Sequence, residues 1–148
     1  MKRLFITIAI ITSIVACEKS ERLTIGFANA YDQTVIVSGN GIQDYSIAPG
    51  KTEIISYGGT VGRGNHIEVE SHWKARFYDT YDSFTVYTED YTVLESWTKD
   101  DTRPGNPFDM NNWNLDDESE SGVERYFFFV SAYSRTEYTL MYIIAPKE

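Results

Sequence analysis

From Arg22 onward the chain alternates between apolar and polar positions. Leu23, Ile25 and Phe27 are separated by Thr24, Gly26 and Ala28, a period of two that predicts a half-buried strand ending in the turn Asn29-Ala30-Tyr31-Asp32. Val35 and Val37 continue the pattern as far as Gly39-Asn40-Gly41. Tyr45 and Ile47 then lead into Ala48-Pro49-Gly50-Lys51, where Pro presets φ and Gly accepts a positive φ. Further strands are expected over residues 54–57, 67–73, 75–78, 83–87 and 91–97, with the glycine-rich stretch 58–65 as a hairpin connection. Two polar stretches read as loops: 100–112, which holds two prolines and Gly105, and 116–122, which holds Asp116, Asp117, Glu118 and Glu120. The last apolar runs, 125–131 and 137–144, are expected to pair through a turn over 132–136. Within them, Tyr126-Phe127-Phe128-Phe129-Val130 lacks polar alternation, as a central strand covered on both faces would.

Roughly eight or nine short strands at ~8–12 residue spacing predict an all-β domain over residues 23–148. The expected architecture is an antiparallel β-sandwich, immunoglobulin-like, with a small lipocalin-like barrel as the alternative. At 148 residues, 42% hydrophobic and 24% charged, the chain has the balance of one globular domain.

The first residues follow a different pattern. Met1-Lys2-Arg3 is basic, and residues 4–15 are Leu, Ile, Phe, Ala and Val broken only by Thr7, Thr12 and Ser13. As a helix this run covers about 18 Å, short of the ~30 Å hydrocarbon core, so residues 1–16 read as a signal peptide. The run ends in Ile14-Val15-Ala16-Cys17 and gives way to the polar Glu18-Lys19-Ser20-Glu21-Arg22. This junction resembles the lipobox of bacterial lipoproteins. The resemblance implies diacylglycerol on the Cys17 thiol, cleavage before Cys17, a fatty acid such as palmitate on the new N-terminus, and residues 17–22 as lipidated N-terminus and tether. Multiple acyl chains, at ~0.8 kcal/mol per buried methylene, would hold the protein stably to a membrane. An ordinary cleavable signal, or an apolar strand with an incidental Cys, is the alternative. Glu18 differs from the Asp that marks inner-membrane retention in that family, which implies the outer membrane, at its periplasmic face or at the cell surface.

The N-terminal strand, the Pro49-Gly50-Lys51 turn, Asn106-Pro107-Phe108 leading to Trp113, and a late Tyr-Phe-rich strand resemble small uncharacterised lipoproteins of gram-negative bacteria. That likeness implies an anchored β-sandwich and maps no catalytic residue onto this chain.

Charge and candidate chemistry narrow the function classes. With 13 Lys+Arg against 22 Asp+Glu the formal charge is -9, which lacks the basic footprint that nucleic acid requires. Loss of Lys2 and Arg3 with the signal would leave 11 basic against 22 acidic side chains, a balance of -11. The single Cys makes no internal disulfide and no thiolate zinc site. On a strand His66 and His72 would stand roughly 20 Å apart, too far to share a metal, and Glu68 and Glu70 about 7 Å apart, a spacing that suits a pair of glycosidase carboxylates and equally a solvated strand face. Gly59, Gly62 and Gly64 match neither a dinucleotide fingerprint nor a P-loop, and no G-x-S-x-G is present. Asp109, Asp116, Asp117, Glu118 and Glu120 offer hard oxygens to calcium without the spacing of an EF-hand; apart from the covalent lipid, no cofactor or resident metal is expected.

Aromatic residues make up 15% of the chain. Trp97 and Trp113 flank the long polar loop, where an exposed indole would stack on a sugar ring and a buried one would anchor the loop end. The expected function is therefore non-catalytic: a lipid-anchored envelope module binding a glycan or an envelope protein. A structural or accessory subunit of a surface assembly is the alternative, and a hydrolase using Glu68, Glu70 or Asp100, Asp101 and Asp109 is the third reading. Wild-type protein is expected to incorporate labelled fatty acid and enter the detergent phase, and Cys17→Ser to do neither. Identical behaviour of the two would refute acylation at Cys17.

Overall fold

A computed structural model describes residues 16–40, 44–61, 66–125 and 130–146. Strand β1 (Ala16–Asn29) is followed by β2 (Val35–Gly39), β3 (Tyr45–Ile47) and β4 (Thr52–Val61). A short helix, α1 (Val69–Trp73), runs directly into a π-helical turn (Lys74–Tyr78); β5 (Ser83–Thr88), β6 (Val93–Thr98), a 3₁₀ turn (Met110–Asn112), β7 (Trp113–Arg125) and β8 (Val130–Ile144) complete the chain. One sheet, sheet A, has the order β4-β1-β8-β7, and the other, sheet B, β3-β2-β5-β6. The two sheets are not closed into a barrel, so the architecture is the expected sandwich and not the lipocalin-like alternative. All neighbours are antiparallel except β1 and β8, the first and last strands among the described residues, which run parallel from Ala16↔Ser131 to Asn29↔Ile144.

Alternation placed the core residues of β1 correctly. Leu23, Ile25 and Phe27 face inward with Leu140, Tyr142 and Ile144 of β8, against Val35, Val37, Phe84 and Val86 of sheet B. The Pro49-Gly50 turn follows its chemistry too, with Gly50 at φ 66 and its N–H donated to the Asn29 carbonyl.

Several expectations are corrected. The stretches 67–73 and 75–78 are not strands: residues 69–73 form α1 and 74–78 the π-helical turn. Ile67, Val69 and Trp73 do alternate, but Val69, Trp73, Phe77 and Tyr81 also recur every fourth residue, and this stripe is the one that packs inward. Four residues per turn is wider than the 3.6 of an α-helix, and underwinding into a π-turn keeps the stripe on one side. Residues 116–122 are not a loop: they form the middle of β7, paired from Asp116↔Thr139 to Gly122↔Tyr133. Residues 132–136 are not a turn and belong to β8, while 17–22 are strand rather than tether. The expected central strand 126–130 lies, except for Val130, outside the described residues.

Phe77 sits at the centre of the core. Its ring meets Trp113 at 5.0 Å, Tyr81 at 5.1 Å, Phe108 at 5.2 Å, Phe84 at 5.9 Å, Phe27 at 6.0 Å and Trp73 at 6.2 Å, mostly in tilted or edge-to-face geometry. Phe77→Ala is expected to destabilise the domain by about 3–5 kcal/mol through lost burial and the cavity left behind, measured by urea unfolding. A change within 1 kcal/mol would contradict the central place given to this ring.

Candidate functional site

The polar loop between β6 and β7 is ordered by its own side chains. Buried Asn106 donates through Nδ2 to the carbonyls of Asp101 (2.6 Å) and Thr98 (3.2 Å) and accepts through Oδ1 from the Phe108 N–H (3.0 Å). Trp113 donates its indole N–H to the Pro107 carbonyl at 2.7 Å, and the Tyr142 hydroxyl bonds the Gly105 carbonyl. The sequence left Trp97 and Trp113 open between exposed sugar platforms and buried anchors. Both are buried, at 4% and 6% exposure, and the anchoring alternative is the correct one. Trp97 packs against Phe84 and Tyr142, and Trp113 shares the contact with Tyr142.

Beside Trp97, along the edge strand β6, two adjoining hollows of about 780 and 540 Å³ share Glu95, Trp97 and Arg103. Tyr31 and Asp101 line the first and Tyr142 the second. Arg103 forms a fork on the Asp101 carboxylate, with Nε at 2.8 and 2.9 Å, while Nη2 also reaches the Ser96 carbonyl on the edge of β6. The loop thereby caps part of the strand edge. Burial, and after it the charge of the neighbouring Glu95, itself buried, pushes the phenols of Tyr142 and Tyr31 above their ordinary range.

The mouth of the cleft adjoins the β5–β6 hairpin. A β-bulge between Val86 and Tyr87 on one strand and Val93 and Glu95 on the other breaks the alternation, so that Val93 is exposed whereas Glu95 and Trp97 are buried. At the hairpin tip Tyr91 has φ 61, a left-handed conformation that suits Gly or Asn and costs a bulky residue about 1–2 kcal/mol. Tyr91 is nevertheless 60% exposed, its ring 5.8 Å from that of Tyr87. Tyr91 and Val93 thus form an apolar ridge beside a cleft that contains two carboxylates and one guanidinium. No protein-family model, curated protein or solved structure matches this chain.

The other sequence candidates are not brought together. Glu68 stands at the N-terminus of α1, accepting from the Ser71 hydroxyl at 3.1 Å, and Glu70 lies two residues further on, so the two no longer share a strand face. His72 is on α1 with Nδ1 3.2 Å from the Glu68 carbonyl, while His66 precedes the helix. Asp109 caps the 3₁₀ turn through the Asn111 N–H (3.0 Å). On β7 the acids alternate, with Asp116, Glu118 and Glu120 on one face and Asp117 on the other. Among the described residues no group of three His, Cys, Asp or Glu is placed to hold a metal ion.

One constellation was not anticipated. Glu21, read from sequence as part of a tether, is 2% exposed. Its Oε1 lies 2.8 Å from Lys19 Nζ and 3.1 Å from His66 Nδ1, and its Oε2 accepts from the Ile67 N–H at 2.6 Å. The phase of β1 carried the signal: positions 19, 21, 23, 25 and 27 share one face, so a carboxylate at 21 continues the core stripe. With both oxygens occupied, Glu21 clamps the segment entering α1 onto β1 and has no catalytic geometry. The Lys19 ammonium and the Ile67 N–H outweigh burial and lower its pKa from 4.5 to about 2. A depressed carboxylate pKa stabilises the fold above pH 4.5, and that contribution disappears as pH falls toward 2. The difference in urea midpoint between wild type and Glu21→Gln is expected to be largest at neutral pH and to shrink over this window. A difference independent of pH would exclude the clamp as an ionic one.

Proposed function

We propose that this protein is a lipid-anchored envelope module, non-catalytic, that docks a partner protein of the envelope at the β6 cleft. The observation that carries the reading is the Tyr91–Val93 ridge: a bulky aromatic held exposed at a positive φ, beside an exposed Val and an open cleft. Backbone strain retained at an exposed contact residue is a mark of function, since Gly at the same place would relieve it. Aromatic side chains dominate binding energy at protein interfaces. Charge adds specificity. Glu95 and Asp101 exceed Arg103 by one in the cleft, Glu89 and Asp90 stand at the hairpin tip, and the whole chain carries -9, so the docking segment of the partner is basic.

A protein partner is favoured over a glycan because neither Trp97 nor Trp113 offers an open ring face for stacking. Anchoring rests on the lipobox at Cys17, and the membrane it implies is the outer one.

The test is photo-crosslinking in intact envelopes with a photoreactive residue at position 91 and, as a control, at the distant exposed position Glu118. One dominant partner is expected from position 91 and none from 118. The double change Tyr91→Ala and Val93→Ser is expected to weaken binding of that partner at least about tenfold, the scale of a modest interface hot spot, with the unfolding midpoint retained. A glycan-array signal that survives the double change, with no crosslinked protein, would overturn the reading.

A further inference from the structure

We propose that the end of sheet A that begins at Cys17 abuts the bilayer directly, so that the domain stands on the membrane in one orientation with the β6 cleft facing away. This deepens the anchoring reading above and rests on acylation of Cys17. Pairing with β8 starts at Ala16↔Ser131 and Cys17↔Ala132, and from Ser20 onward β1 is also paired with β4 through Ser20↔Val61. The clamp at Glu21 then fixes Lys19 on one side of it and Ile67 across from it. Even with the first pairs opened, only Cys17 and Glu18 precede the clamped residues. Two extended residues reach about 7 Å, about the depth of one headgroup layer. An acylated Cys17 therefore brings the sheet end to the headgroups and leaves no length for free tumbling.

The opposite pole is defined as sharply. Asn29 ends β1 beside Ile144, and the cleft is built on Tyr31, Glu95 and Pro146 just beyond them. At about 3.3 Å per residue, β1 sets this pole about 40 Å from Cys17. Ser121 of β7 lies near the Cys17 level, since the neighbouring register runs Val123↔Ala132 and Ser121↔Ser134. Lys51 lies at the cleft pole, its carbonyl accepting from the Asn29 N–H at 2.9 Å.

The test uses the full acylated protein in phosphatidylethanolamine and phosphatidylglycerol vesicles that carry a headgroup nitroxide quencher. Because Cys17 is the only cysteine and is acylated, thiol dyes report solely on Ser121→Cys or Lys51→Cys. The Ser121→Cys dye is expected to be quenched several-fold more than the Lys51→Cys dye, and six Gly/Ser residues inserted between Cys17 and Glu18 are expected to remove the difference. Equal quenching without the insertion, or a difference that the insertion leaves intact, would overturn the proposed orientation while leaving anchoring in place. Failure of the protein to partition into vesicles would overturn acylation, and the orientation with it.

Discussion

The rest of the structure depends on the way one ring, Phe77, fills the space between two sheets. A sandwich of this size without a disulfide must obtain most of its cohesion from apolar contact, and strand side chains supply only part of it. Here α1 and the π-turn push a row of side chains into the gap. Phe77 bridges Phe27 of sheet A and Phe84 of sheet B, while Trp113, Phe108 and Tyr81 close around it. The same packing fixes the middle of the long polar loop: Trp113 and Tyr142 are core residues, and their polar tips hold the Pro107 and Gly105 carbonyls. The loop walls the β6 cleft through Asp101 and Arg103, so the geometry of the candidate site follows from aromatic packing some residues away.

Much of the sandwich was legible because alternation and turn chemistry are local signals. β1, β2, β5 and β6 fall where period-two runs and Gly, Pro or Asn punctuation place them. Where two periodicities coincide, legibility ended: residues 67–73 satisfy alternation as well as a four-residue stripe, and only the continuation to Phe77 and Tyr81 separates them. β7 was hidden for another reason. Asp116, Asp117, Glu118 and Glu120 have poor strand propensity, and they are tolerated because this part of sheet A is solvated on both faces, so pairing with β8 decides the conformation and side-chain burial does not. Acidic side chains on this outer strand also discourage edge-to-edge association.

The candidate site was legible only in outline. The loop and its two Trp residues stood out in sequence, and burial decides between the two roles left open for the indoles, because a Trp packed against Phe84 or Phe77 is worth more in the core than in water. Tyr91 gave no sequence signal, since a left-handed backbone is visible only in three dimensions. Glu21 and His66 are far apart in the chain, and nothing local marks a carboxylate that will meet a backbone N–H across a sandwich.

The parallel pairing of β1 with β8 bears on how the protein is made. β8 lies between β1 and β7, so sheet A consists of two unconnected pieces, β4-β1 and β7, until the fifteen residues of β8 arrive. Contacts between segments far apart in sequence carry a large loop-closure entropy and form late. Assembly of sheet A must therefore wait for β8 to be synthesised. Until then Leu23, Ile25 and Phe27 lack Leu140 and Tyr142, and a chain cut short within β8 would present an unfilled slot with two open strand edges. Such a gap is an exposed template of the kind that chaperones and proteases act upon.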